Sequence, residues 1–132
     1  MFKVFAVKLN DSISDILLDK VSFLSLEEKE KCLRYKFKKD RALSAAGRLM
    51  FQRFCTCFEK DEYSAYNLIT DFDDFNEDNI NFVTVDYEEN GKGYVKDTND
   101  WYFNISHSGD YCVLVLSDKE VGIDIQEVRK IN

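Results

Sequence analysis

The residues best suited to chemistry lie in the segment Val121-Gly-Ile-Asp-Ile-Gln126. Side chains alternate along a strand, so Asp124 and Gln126 would share one face and the apolar residues the other. Two oxygen-bearing side chains in this arrangement suit a hard cation such as magnesium, which takes one or two carboxylates together with substrate phosphates. An edge strand with ordinary polar residues facing solvent has the same pattern. The six residues alone favour that simpler interpretation.

A second candidate is the run Phe103-Asn-Ile-Ser-His-Ser-Gly109, which contains the single histidine of the chain. Ser106 and His107 stand just before a glycine turn and offer hydroxyl and imidazole donors to a phosphate group. A lone histidine is more often structural, and turns commonly contain serine and glycine for conformational reasons. Taken alone, this run is weak evidence for a phosphate site.

The distribution of charge adds a third signal. The chain carries a net charge of −7, yet residues 29–53 hold nine of its 18 lysine and arginine residues and only two of its 25 acidic residues. The acidic remainder argues against general nucleic-acid binding. A local basic patch suits a small phosphorylated ligand or an acidic protein partner. A solvated helix face is the simpler alternative, and charge alone favours it.

Two other segments are weak candidates for metal sites. The acidic run Asp71 to Asp78 lacks the turn glycine and the final glutamate of an EF-hand loop, so we predict a solvated loop. Cys55 and Cys57 would point to different faces of a helix, and with one distant histidine no zinc ligand set is apparent. We therefore expect reduced thiols at the four cysteines, which are Cys32, Cys55, Cys57 and Cys112.

Length and composition bound the fold. A chain of 132 residues with 45% apolar residues is long enough for one domain with its own core. No apolar stretch is long enough to cross a membrane, and the N-terminus lacks the features of a secretory signal. We expect a cytoplasmic, single-domain protein without a membrane partner.

The first half of the chain predicts one strand and two main helices. Lys3 to Leu9 alternates as a strand does. Ser25-Leu-Glu-Glu28 is a capping-box pattern, in which the serine hydroxyl accepts a backbone N–H and Glu28 reaches back to the Ser25 amide. A helix should run from there to about Phe37. A second should run from about Lys39 to Phe58, with an apolar face formed by Leu43, Ala46, Gly47, Met50 and Phe54.

The second half reads as short strands. Asn81 to Tyr87 is strand-like, and Glu89-Asn-Gly-Lys-Gly93 is a turn. Three further strands are predicted at Trp101 to Ser106, Tyr111 to Ser117 and Glu120 to Gln126. Helices early and strands late indicate an α+β fold, with a small antiparallel sheet packed against helices.

The motifs become specific when they are combined. Asn-Ile-Ser-His-Ser, followed about a dozen residues later by Gly-Ile-Asp-Ile-Gln, resembles the 4′-phosphopantetheinyl transferases of the large, pseudo-dimeric type. The resemblance extends over Ser25 to Arg41 and the helix that follows. It also includes the Asn-Gly-Lys-Gly turn, where the family usually has Gly-Lys-Pro. It is weakest over residues 60–80.

The resemblance implies an activity and a lobe of the same fold. Members of this family transfer phosphopantetheine from coenzyme A to a serine of an acyl or peptidyl carrier protein and release 3′,5′-ADP. By analogy, Asp124 would bind magnesium, and Gln126 stands where many members have glutamate. A neutral amide is a weaker ligand for a hard dication than a carboxylate.

The same analogy assigns the coenzyme-binding residues. His107 and Ser106 would contact phosphates of coenzyme A, and Lys92 in the Gly-Lys turn would add positive charge there. Within the basic segment, Lys31 and Arg41 are the residues best placed for the 3′-phosphate. One position at which the family has lysine holds Glu28 instead.

The resemblance also concerns the extent of the chain. Family members have two similar lobes with the site between them, and residues 1–132 correspond to the N-terminal lobe with the second lobe absent. Three interpretations stay open: a coenzyme-binding lobe of a transferase, a homodimer in which a second copy replaces the missing lobe, and a non-catalytic coenzyme A-binding or protein-interaction module.

Overall fold

The computed structural model describes residues 2–56, 63–87, 93–95 and 101–118. The helices are α1 (Asp11–Lys20), α2 (Leu26–Leu33) and α3 (Lys38–Phe54), with a 3₁₀ turn at Val21–Phe23. The strands are β1 (Phe2–Lys8), β2 (Tyr66–Leu68), β3 (Val85–Tyr87), β4 (Gly93–Val95), β5 (Tyr102–Ser108) and β6 (Tyr111–Ser117). The predicted α+β class is confirmed. The strand predicted at Glu120 to Gln126 and most of the turn at residues 89–93 lie outside the described residues.

The described strands form one sheet in the order β2-β1-β6-β5-β4-β3. β1 pairs with β6 along its whole length, and β5 and β6 form a hairpin in register from Tyr102 opposite Ser117 to Ser108 opposite Tyr111. Gly109 in the hairpin turn has φ 59°, a conformation that favours glycine. These pairs are antiparallel, as predicted, whereas the short strand β2 runs parallel to β1.

α3 carries the core. The five residues of its predicted apolar face are all buried, together with neighbours on the same helix such as Leu49 and Phe51. Gly47 allows close approach to the sheet, because a Cβ atom there would lie 2.6 Å from Cγ2 of Ile105 on β5. The helix and β5 are therefore held in direct contact at this point.

α2 is shorter than predicted. The helix expected to reach about Phe37 ends at Leu33, and Phe37 adopts an extended conformation (φ −96°, ψ 142°) directly before α3. The chain has to turn between two packed helices, and the extended residue at the start of α3 cannot also continue α2. The basic residues that follow Leu33 therefore lie in a turn and in the first part of α3.

The predictions for the acidic run and the cysteines agree with the fold where the structure describes them. The carboxylate residues between 71 and 78 are exposed, while Phe72 and Phe75 anchor the loop in the core. Cys32, Cys55 and Cys112 are buried, and Cys57 lies outside the described residues. Over the described ranges, the structure has no cluster of three or more potential metal ligands and no helix long and apolar enough to cross a membrane.

Candidate functional site

A cleft lies between the helices and the sheet. Its walls are α2, the middle of α3, β5 and residues 82–85 at the start of β3, and it encloses about 590 Å³. This volume is within the usual range of about 300–1,000 Å³ for small-molecule sites. Phe51, Val85, Phe103 and Ile105 give the cleft apolar surface, and charged residues enter from α2 and α3. An apolar cleft edged by a few charges can bind an amphipathic, phosphorylated ligand.

β5 brings His107 to the cleft. His107 is paired with Cys112, whose Sγ would lie 3.4 Å from a Cβ atom on Gly47, so both residues lie on the α3 side of the sheet. His107 is exposed and lines the cleft. Ser106 precedes it and, by alternation, points to the opposite face of the sheet. Of the two residues that the motif suggested, His107 therefore lines the cleft and Ser106 does not.

Of the two basic residues predicted to bind the 3′-phosphate, one lines the cleft and the other does not. Lys31 on α2 lines the cleft and forms an ion pair with Glu27 one turn earlier, with an N···O distance of 3.1 Å. Arg41 on α3 does not line the cleft, and its Nε donates a hydrogen bond to the backbone carbonyl of Tyr35 in the turn between α2 and α3. Tyr35 itself lines the cleft. Arg41 therefore contacts a residue of the cleft wall but not the cleft itself.

Glu28 has a position that the capping-box pattern only partly anticipated. The Ser25 hydroxyl accepts a hydrogen bond from the Glu28 amide at 3.2 Å, as predicted. Among the described contacts, the carboxylate accepts hydrogen bonds from the Ser25 hydroxyl and from Nε2 of Gln52, whereas the pattern predicted the Ser25 amide as donor. Burial raises the pKa of Glu28, while the positive charge of Arg48 acts in the opposite direction. Glu28 is therefore a partly desolvated acid in the wall of the cleft.

Gln52 is a key polar residue that the sequence analysis did not single out. It is only 1% exposed. Its Nε2 donates to the carbonyl of Val83 at 3.0 Å as well as to Glu28, and its Oε1 accepts from the Val83 amide at 2.9 Å. The backbone carbonyl of Gln52 accepts from both the amide and the side chain of Asn81. Gln52 thereby fixes residues 81–83, which continue into the cleft wall. The available signal was a glutamine directly after the apolar run Leu49-Met-Phe51.

Two further residues at the cleft also escaped the sequence analysis as individuals. Arg48 on α3 lines the cleft and is half-buried, but it was considered only as part of the basic segment. Asn104 lies in the cleft wall on β5, and its position within the Asn-Ile-Ser-His run was the signal for it. Lys92, Asp124 and Gln126 lie outside the described residues, so their assignments remain predictions.

Comparison with known proteins gives a consistent family. Residues 11–119 match the family model described as "4'-phosphopantetheinyl transferase, N-terminal". The chain is 30% identical over 112 residues to the 4′-phosphopantetheinyl transferase Sfp of Bacillus subtilis (strain 168), a match covering 85% of this chain and 42% of that protein. It is 25% identical over 131 residues to the 4′-phosphopantetheinyl transferase ffp of Bacillus subtilis, covering 98% of this chain and 51% of the relative.

A third relative, a 4′-phosphopantetheinyl transferase of Bacillus subtilis, is 28% identical over 128 residues, covering 96% of this chain and 50% of its own length. The chain thus spans about half the length of the curated relatives that it matches. The family model covers most of the described fold, including α2, α3 and the β5–β6 hairpin that form and support the cleft. The chain therefore belongs to the 4′-phosphopantetheinyl transferase family, in the part that the family model describes as N-terminal.

Proposed function

We propose that this protein transfers 4′-phosphopantetheine from coenzyme A to a serine of an acyl or peptidyl carrier protein, with residues of this chain binding the coenzyme. The observation that carries the proposal is that Lys31 and His107, which are distant in the sequence, line one cleft in a chain of this family. The family resemblance assigns both residues to phosphate groups of coenzyme A.

The chemistry of the cleft supports coenzyme A as its ligand. Coenzyme A combines phosphate groups with an adenine ring and a less polar pantetheine arm. Lys31 supplies an ammonium group, and His107 supplies an exposed imidazole, to which phosphate oxygens can be hydrogen-bonded. The rings of Phe51 and Phe103 are tilted by 42° to each other with centroids 4.4 Å apart, and both offer apolar surface at the same cleft. Each part of the ligand thus has a complementary surface.

Magnesium belongs to the proposal through Asp124 and Gln126, which the resemblance assigns to the metal. One carboxylate with substrate phosphates is a sufficient ligand set for Mg²⁺ in many phosphate sites. When bound, the metal would neutralise charge on the transferring phosphoryl group. Lys92 is a further predicted coenzyme contact. Ser106 and Arg41 do not line the cleft, so any contact that they make with the coenzyme would lie outside it.

The carrier protein is the proposed partner, and its serine is the acceptor. A second copy of the chain is a further proposed partner, because large apolar side chains remain exposed beside the cleft. Leu26 is 71% exposed and Phe82 is 69% exposed. Sedimentation of the protein at two concentrations tests this association, which predicts a concentration-dependent shift toward a dimer. A monomer at both concentrations contradicts it.

The test of the activity is intact-mass spectrometry of an apo carrier protein incubated with the protein, coenzyme A and magnesium. The proposal predicts a mass gain of one phosphopantetheinyl group, lost in Asp124→Ala, strongly slowed in His107→Ala and unchanged in the surface variant Lys36→Ala. A chelator in excess over magnesium should also abolish the gain. Coenzyme A binding without any transfer contradicts the catalytic proposal and favours the coenzyme A-binding module.

A further inference from the structure

Arg48 is a positively charged residue of the cleft, and its contacts with the described residues do not explain its role. It lies on α3 in the cleft wall and is half-buried. Within the described residues, the structure gives its guanidinium no hydrogen bond and no ion pair closer than 4 Å. Half-buried guanidinium groups are usually paired, because their five N–H donors lose water contacts on burial.

Two other arginines of α3 show the contrast. Arg53 donates a 2.8 Å hydrogen bond to Asp74, and Arg41 donates to the carbonyl of Tyr35. Both are thus used within the fold. Arg48 differs from them because its side chain lines the cleft and its donors are not engaged by described residues.

Glu28 is the acid whose pKa responds to the charge of Arg48, but among the described contacts the two side chains form no ion pair. Arg48 favours the ionised form of Glu28 through its charge, but the Glu28 carboxylate is hydrogen-bonded to Gln52 at 3.0 Å and faces the Ser25 hydroxyl at 3.5 Å. Glu28 therefore offsets part of the positive charge without occupying the fork of the guanidinium. No described residue occupies the donors of Arg48, so within this part of the chain they are available to a ligand in the cleft.

We propose that Arg48 binds a phosphate group of coenzyme A through its guanidinium fork and is a specific affinity determinant of the cleft; this inference rests on the proposed function. A planar guanidinium matches two phosphate oxygens at once, whereas a lysine ammonium acts as a point charge. The partly desolvated position strengthens such charge-assisted hydrogen bonds. Arg48 on α3 would thus bind phosphate in the same cleft as Lys31 on α2 and His107 on β5.

The test is calorimetric titration of the protein with coenzyme A. Arg48→Ala should raise the Kd at least about tenfold, equivalent to ~1.4 kcal/mol. Arg48→Lys should recover only part of this loss, because it restores the charge but not the fork. The matched control is Lys39→Ala, which removes one positive charge from the same helix at an exposed ion pair with Asp110. It should change the Kd by less than about threefold.

A double variant separates direct binding from mere neutralisation of Glu28. If Arg48 only compensates that carboxylate, Glu28→Gln in the Arg48→Ala background should restore the wild-type Kd. Direct contact with phosphate predicts that most of the loss persists. Thermal melts of each variant establish that it is folded. If Arg48→Ala is unfolded, the affinity of Arg48→Lys is compared with the wild type instead.

The outcomes distinguish the two proposals. Wild-type binding with an unchanged Kd in Arg48→Ala, or full restoration by Glu28→Gln, overturns the role of Arg48 and leaves the proposed function standing. No binding of coenzyme A by the wild-type protein contradicts the proposed function itself, and the role of Arg48 falls with it.

Discussion

Replacement of Gly47 by alanine tests the contact that holds α3 against β5. An added Cβ atom would lie 2.6 Å from Cγ2 of Ile105, far inside normal contact distance, and 3.4 Å from Sγ of Cys112. Alanine is favoured over glycine within a helix by about 1 kcal/mol. Overpacking of a close-packed core costs roughly 1–3 kcal/mol. The balance is a net loss of about 0–2 kcal/mol in the free energy of unfolding, with the opposite sign to the propensity effect alone.

The assay is urea unfolding of Gly47→Ala in three backgrounds, with the wild-type residue, valine or leucine at position 105. Valine keeps the Cγ2 methyl group that meets the new Cβ atom, so the cost of Gly47→Ala should be unchanged. Leucine lacks a branch at Cβ, so the cost should shrink by at least about half in Ile105→Leu, a coupling of the kind expected for residues in contact. Coenzyme A affinity should fall with stability, because β5 also carries His107.

A stabilisation of about 1 kcal/mol by Gly47→Ala would refute this reasoning, because it would mean that only helix propensity matters at this position. An equal cost in the valine and leucine backgrounds would also contradict it, since the clash would then lie elsewhere.

Three further predictions concern buried polar groups. Burial raises the pKa of Glu28, so the folded state holds this proton more tightly than the unfolded state. The free energy of unfolding should therefore fall as the pH rises from about 4.5 through the folded-state pKa. Glu28→Gln should remove that dependence in urea unfolding at pH 4 to 8. Gln52→Ala should cost about 1–3 kcal/mol and accelerate hydrogen exchange at the Val83 amide, because both backbone groups of Val83 lose a partner. Burial raises the pKa of Cys112 to about 12, so its thiol should resist alkylation at pH 8 in the folded protein and react once urea unfolds it.

Each of these has a contradicting outcome. A pH profile that is the same for the wild type and Glu28→Gln would show that Glu28 is not desolvated in solution. Unchanged exchange at Val83 would show that Gln52 does not hold this segment. Rapid alkylation of Cys112 without denaturant would show that the packing of β6 against α3 opens readily.

The sequence was most informative where a pattern was long and local. The apolar face of α3 was predictable because its spacing repeats over the whole helix. The strands β5 and β6 were predictable because two strand-like runs flank a glycine turn. The end of α2 was not, because the extended conformation of Phe37 depends on how α3 packs. The three-residue strand β2 is too short to have a recognisable pattern and depends on pairing with the distant β1.

The residues of the site also differ in how far local sequence patterns pointed to them. The family motif and the basic segment singled out His107 and Lys31, and both line the cleft. The contacts of Gln52 and the position of Arg48 in the cleft wall depend on neighbours that are distant in the sequence. The strand predicted from Asn81 starts only at Val85, because Asn81 and Val83 are hydrogen-bonded to Gln52 on α3 before the strand begins. A single polar side chain thus decides where one wall of the cleft starts.

The most direct test of coenzyme A binding in this cleft is hydrogen exchange measured by mass spectrometry with and without coenzyme A and magnesium. Such binding predicts slower exchange in α2, in residues 82–85 and in β5, with no change in α1 or at the β2 edge of the sheet. It also predicts that Lys31→Ala reduces this protection at a fixed coenzyme concentration. Protection confined to α1 or the β2 edge, or no protection at saturating coenzyme A, would contradict the claim that this cleft binds the coenzyme.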